Sequence, residues 1–155
     1  MGEGLKKRIK QDKFASPLQE AMLNLMVAAS HVRERIDRVC AERGITSTQF
    51  NVLRILKGAY PEGYPRCEIA VRMLEKAPDV TRLIDRLEDQ GLAERVRSDQ
   101  DRRLSITRIT QKGIDLLEQV NPRVEEVHSY FADRISLKDR RELSRICEGL
   151  YAEDE

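Results

Sequence analysis

The stretch from Arg66 to Thr110, RCEIAVRMLEKAPDVTRLIDRLEDQGLAERVRSDQDRRLSITRIT, constrains the fold most strongly. Two short helical patterns meet at a turn. The first covers about Arg66–Leu74, with Ile69, Ala70, Met73 and Leu74 apolar, and Tyr64 and Pro65 before it suit a short edge strand. The second starts near Pro78 and carries Val80, Leu83, Ile84 and Leu87 at offsets 0, 3, 4 and 7, one face of a helix. Gly91 follows at the position where a helix turns left-handed and stops. Leu92–Arg97 and Leu104–Ile109 then alternate like two strands, with Val96, Leu104 and Ile106 expected inward. The polar segment between them holds Asp101, Arg102 and Arg103. A helix-turn-helix followed by an arginine-tipped hairpin is a winged helix, a geometry suited to duplex DNA.

Helical segments flank this unit. Ser16 is a good N-cap and Pro17 fits the first helical position, so a long helix is expected from there to Arg43, stopped by Gly44. Leu18, Met22, Leu25, Ala29, Val32, Ile36 and Val39 recur at alternating spacings of four and three, a heptad seam. Such a helix, about 40 Å long at 1.5 Å per residue, exceeds what one small domain covers. The seam predicts dimerisation; the plainer reading is an intramolecular packing stripe. Thr46 with Gln49 forms a capping-box pattern before Phe50, Leu53 and Leu56, and Gly58 ends that helix. Beyond the hairpin, Thr110 caps a helix with Leu117, Val120, Val124, Val127 and Phe131 on one stripe. Pro122 inside it is expected to kink or restart it, because proline removes a backbone donor. Ser136 with Asp139 opens a last amphipathic helix bearing Leu137, Leu143, Ile146, Cys147 and Leu150.

The resulting class is mainly α with a small β-hairpin wing. Residues 1–15 form a basic, loosely ordered N-terminal segment, 16–45 and 110–151 a helical dimerisation region, 46–109 the winged helix-turn-helix, and 152–155 an acidic tail.

Composition narrows the function classes. Of the 155 residues 35% are charged and 40% hydrophobic, and no apolar run reaches the roughly 18 residues of a membrane span. The N-terminal lysines lack the apolar stretch of a secretory signal, and the cytoplasm is the expected compartment. Cys40, Cys67 and Cys147 are widely spaced and odd in number, and His31 and His128 are isolated, so neither a disulfide framework nor a zinc site is expected. No glycine-rich phosphate loop or Ser/His/Asp grouping is present, which argues against an enzyme and against a cofactor. Net charge is only +1, so a case for nucleic acid must stand on local clusters. One such cluster is Arg95, Arg97, Arg102, Arg103 and Arg108 against Asp99 and Asp101; Lys6, Lys7, Arg8, Lys10 and Lys13 form another.

A recognition helix meets base edges with its first turns. Arg82 points away from the apolar face there and suits guanine or a phosphate. Thr81 flanks it; Asp79 can accept from cytosine or favour the positive helix end. Lys76, Arg86 and Arg97 complete the expected DNA-facing set with Arg102 and Arg103. The same face also reads as an ordinary salt-bridged surface, Arg82 with Asp85 and Arg86 with Asp89. The wing separates the two readings. A narrow minor groove attracts inserted arginines, and Asp101 suits the role of fixing an arginine rotamer. A winged-helix protein–protein module without specific DNA binding is the alternative, separable by salt-dependent duplex binding.

The run VTRLIDRLEDQGLAERVRSDQDRRLSITRIT from Val80 to Thr110 closely resembles the MarR family of bacterial transcription regulators, including the Asp101-Arg102-Arg103 wing motif. The segment Gly44-Ile-Thr-Ser-Thr-Gln-Phe-Asn-Val-Leu-Arg resembles the family's second helix, and the likeness spans about residues 18–150. It implies a homodimer on a pseudo-palindromic operator, usually a repressor, with Arg82 at a DNA-contacting position and Arg103 as the minor-groove arginine. Asp79 departs from the Ser or Thr of many relatives. A cysteine near the start of the first helix senses peroxide in some members; Cys40 lies near that helix's far end, so the role does not transfer, and buried inert thiols are expected. The resemblance also implies a small aromatic or phenolic effector between the dimerisation helices and the winged unit, with His31, Arg35 and Arg54 as candidate lining residues.

Overall fold

The computed structural model describes residues 3–97 and 104–152. In chain order the elements are α1 (Glu3–Ile9), α2 (Pro17–Ala41), α3 (Ser47–Gly58), β1 (Tyr64–Pro65), α4 (Arg66–Arg72), α5 (Val80–Asp89), β2 (Ala93–Arg97), β3 (Ser105–Ile109), α6 (Gln111–Ala132) and α7 (Leu137–Tyr151). The mainly helical class with a small sheet is as the patterning predicts.

Local chemistry places the helix starts. Ser16 accepts from the Gln19 amide, Thr110 from Gly113 and Ser136 from Asp139, while Thr46 and Gln49 form a reciprocal capping box. Each cap satisfies an amide that the helix cannot pair internally, an effect worth about 1 kcal/mol. At the far end of α5, the Gly91 amide donates to Glu88 and the Leu92 amide to Leu87. This Schellman closure needs the left-handed Gly91, φ +69°. It turns the chain straight from α5 into β2.

The sheet order is β1-β3-β2, antiparallel throughout, with Tyr64 opposite Thr107 and Ala93 opposite Ile109. Its buried face carries Ala93, Thr107 and Ile109. The expectation of Val96, Leu104 and Ile106 inward is therefore corrected by one residue: Val96 and Ile106 pair on the opposite face and are half-buried, and Leu104 is exposed. Side chains alternate with period two, so a slip of one exchanges the faces. Buried Thr107, polar by type, hides that phase from a hydrophobicity pattern.

Three further differences concern the helices. α1 lies within the basic segment expected to be loosely ordered, and its Leu5 is buried. α4 ends at Arg72 rather than near Leu74; the Leu74 amide donates instead to Asn51 Oδ1 at 3.0 Å. α6 continues through Pro122 without a restart. Proline costs one backbone bond there, but Val120, Val124 and Val127 are all buried and hold the stripe on both sides.

One apolar cluster joins the ends of the chain to its middle. Val39 and Cys40 of α2 and Leu117, Val120 and Val124 of α6 meet Leu53 and Leu56 of α3, Ile69 of α4, and Ile84 and Leu87 of α5. The helix-turn-helix of α4 and α5 is thus seated on the α2–α6 pair. A polar bridge adds to this seating: buried Gln49 donates through Nε2 to Gln90 Oε1 at 2.8 Å, and Gln90 Nε2 donates to the Gly44 carbonyl at 3.0 Å.

Gly63 marks the tightest approach. It has φ +80°, and a Cβ built there would lie 2.2 Å from the Thr107 carbonyl oxygen. Gly63→Ala is expected to lower stability by more than about 1 kcal/mol, since strain adds to a backbone clash. Chemical denaturation measures this; an unchanged midpoint would contradict the packing of β1 on β3.

Candidate nucleic-acid interface

α5 buries Val80, Ile84 and Leu87 and turns Thr81, Arg82 and Arg86 outward, all three exposed. Asp79 is its N-cap, with Oδ1 accepting from the Arg82 amide at 2.9 Å. Its carboxylate is engaged with the helix start, which favours the capping role over base reading.

The salt-bridged alternative for this face does not form as the spacing suggested. Asp85 and Glu88 pair with Arg95 of β2. Arg95 places Nη2 2.5 Å from Asp85 Oδ1, its Nη1 on Glu88, and its backbone amide 2.8 Å from Glu88 Oε1. Arg82 and Arg86 have no ion-pair partner among the described residues, nor do Lys76 and Arg97. Arg95, read in the sequence as part of a basic cluster, instead staples β2 to α5. Two acids spaced three apart on α5, Asp85 and Glu88, were the available signal. Arg108 is likewise engaged within the chain, its Nε donating to the Glu62 carbonyl at 3.0 Å. Asp101, Arg102 and Arg103 lie outside the described residues.

The expected seam is uncovered within one chain along much of its length. Leu18 is 68% exposed, Ala29 and Val32 are exposed, Met22, Leu25 and Ile36 are half-buried, and Val39 is buried. α7 buries no residue, and Leu137, Leu143, Ile146 and Leu150 all stand exposed.

α2, α3, the α4–α5 turn and α6 line a cavity of about 760 Å³ that opens to solvent. Phe50, Ile36, Val124 and Leu74 give it apolar walls, and Arg33, Arg54, Glu75 and His128 supply its charged and polar groups. Arg33 contacts Glu75 directly, tying α2 to the turn that precedes α5. Of the three lining residues expected, only Arg54 is there. His31 sits edge-on to Phe131, centroids 6.0 Å apart, and Arg35 lies over Tyr130 at 3.6 Å. Both turn towards α6, a placement set by tertiary packing. Arg33, Glu75, Asn51 and His128 were missed for the same reason.

Two of the three thiols differ from expectation. Cys40 is fully buried, and burial together with Asp37 pushes it up to about 11, so it stays protonated and unreactive near neutral pH. Cys67 is exposed and Cys147 half-buried, correcting the expectation of buried thiols for these two.

Comparison with known proteins fixes the family. The model of the MarR family matches residues 45–105. The HTH-type transcriptional regulator MhqR of Bacillus subtilis is 30% identical over 68% of this chain and 74% of its own. The crystal structure of a MarR transcription factor from Planctomyces limnophilus is 33% identical, covers 88% of this chain and 98% of that one, and superposes with a TM-score of 0.67. This chain belongs to the MarR family. The transcriptional repressor CouR, solved bound to a 23-mer DNA duplex, is 27% identical across 92% of this chain and 99% of that one, with a TM-score of 0.73. Among the described residues no helix is long and apolar enough to cross a membrane.

Proposed function

We propose that this MarR-family chain is a dimeric, sequence-specific DNA-binding transcriptional regulator, a repressor released by a small-molecule effector. The observation that carries the reading is the outer face of α5. Asp85 and Glu88 are held by Arg95 of β2, and Arg82 and Arg86 are exposed with no ion-pair partner among the described residues. Residues 46–109 act as the reading unit, and 16–45 with 110–151 as the dimerising one. The exposed apolar residues of α2 and α7 supply the second copy's seat, since large apolar patches mark association surfaces. CouR in complex with a duplex supports the DNA partner.

In this reading α5 enters the major groove with Thr81 and Arg82, while Lys76, Arg86 and Arg97 hold phosphates. Arg102 and Arg103, between β2 and β3 in the chain, supply the minor-groove arginine. The cavity takes a small aromatic or phenolic effector, its volume being that of ordinary ligand pockets. Leu74 and Glu75 in its wall belong to the turn between α4 and α5, so a ligand there bears on the approach to the recognition helix.

The test is titration of fluorescent duplexes, selected from genomic fragments, at two salt concentrations. Specific binding that weakens linearly in log–log form with salt is expected; no preference over random duplex would overturn sequence-specific reading. Arg103→Ala is expected to cost about 1–3 kcal/mol of operator affinity without moving the unfolding midpoint. Equal affinity at fixed salt would remove Arg103 from the interface.

A further inference from the structure

On the other side of the α2–α6 packing lies a groove of about 320 Å³, lined by Arg35 and Arg38 of α2, by Glu42 at its C-cap, and by Arg123, Glu126 and Tyr130 of α6 among others. We propose that this groove is a binding site for a compact oxyanion such as inorganic phosphate, distinct from the effector cavity.

The charges argue for it. Arg123 reaches both acids, Glu126 at 2.8 Å and Glu42 at 3.6 Å. That leaves Arg35 and Arg38 with no ion-pair partner among the described residues. Arg35 carries a second sign of a missing partner: its Nε is buried without a hydrogen bond, the single such side-chain atom among the described residues. Buried donors are almost always paired, and an orphan calls for an absent acceptor. A guanidinium edge is a planar fork that matches two oxygens of a carboxylate or phosphate.

The stacking decides the ligand's shape. Arg35 lies 3.6 Å from the Tyr130 ring centroid and Arg134 lies 3.4 Å from it. Two guanidiniums that close must occupy opposite faces of one ring. Tyr130 has no face left for an aromatic ligand, whereas the Arg35 fork is held flat and preorganised. A small, non-aromatic anion fits; the aromatic effector class does not. Arg38, three residues on, lines the same groove and adds the second charge. A bound oxyanion would bridge α2 to α6.

The experiment measures the unfolding midpoint of the wild-type dimer against inorganic phosphate, with sodium chloride at matched ionic strength as reference. A midpoint that rises with phosphate beyond the chloride reference is expected, and the rise should vanish in Arg38→Gln and in Arg35→Gln. Lys57→Gln, which removes an exposed charge elsewhere, should keep it. If Arg35→Gln fails to fold, Arg38→Gln alone decides. A wild-type response equal to that of chloride, or one that survives Arg38→Gln, overturns the proposal. Sedimentation of the same variants separates another source of the anion. If Arg38→Gln dissociates the dimer and phosphate has no effect on the wild type, the groove receives a carboxylate from the second copy, and the free-anion site is refuted. None of these readouts uses DNA, so failure here leaves the regulator reading standing.

Discussion

Leu25→Glu is expected to turn the dimer into monomers at micromolar concentration and to take operator binding with it. Leu25 lies mid-seam on α2, half-buried by its own chain, between the more exposed Leu18 and Ala29. A two-fold interface is isologous, so one substitution places two carboxylates in the same apolar contact. Burying an unpaired ion costs several kcal/mol, and each 1.4 kcal/mol is a factor of ten in dissociation. The dissociation constant should therefore rise by roughly 100-fold or more. The fold should persist, because Leu25 is absent from the apolar cluster that seats the reading unit. Sedimentation velocity across a concentration series measures the change. A variant as dimeric as the wild type would place the interface elsewhere than this seam.

Arg82→Ala should lose specificity as well as affinity. Its backbone is fixed by the Asp79 cap, and the buried Val80, Ile84 and Leu87 fix the rotation of α5. The side chain is exposed on the first turn, where recognition helices approach base edges. Loss of a bidentate base contact costs about 1–3 kcal/mol, or roughly 5- to 150-fold in affinity. Arg82→Lys separates the two possible partners. Lysine can hold a phosphate but cannot make the planar fork, so a base-reading Arg82 loses selectivity in both variants. Operator and random-duplex affinities measured side by side give the answer. A uniform loss across sequences would make Arg82 a phosphate contact, and no loss would remove it from the interface.

Features set by neighbouring residues were legible in the chain. The caps at Ser16, Thr46, Thr110 and Ser136 are chemistry within four residues and each caps its helix, although the capping-box pattern of Ser136 with Asp139 does not close: the Asp139 carboxylate accepts from the Ser136 hydroxyl. The apolar face of α5 and its glycine stop are likewise local. What failed to show was settled across the fold. The sheet's inward phase was hidden because Thr107 is buried and Leu104 exposed. α1 is too short, with too little apolar periodicity, to announce itself. The salt-bridged reading of α5 missed that Arg95, ten residues from Asp85, competes for the same acids. His31 and Arg35 sit on the right helix, yet Tyr130 and Phe131 draw them to the other side of it. The cavity is walled by four separate parts of the chain, so only Arg54 among its polar residues was anticipated.

The central claim is that two copies read one duplex together, their recognition helices set about one helical turn (~34 Å) apart. It is tested most directly by binding to a selected operator and to the same operator with five base pairs inserted between its half-sites. The insertion moves one half-site to the opposite side of the helix. Affinity is expected to fall to the level of random duplex. Equal affinity for the two duplexes would contradict a dimer that reads both half-sites at once.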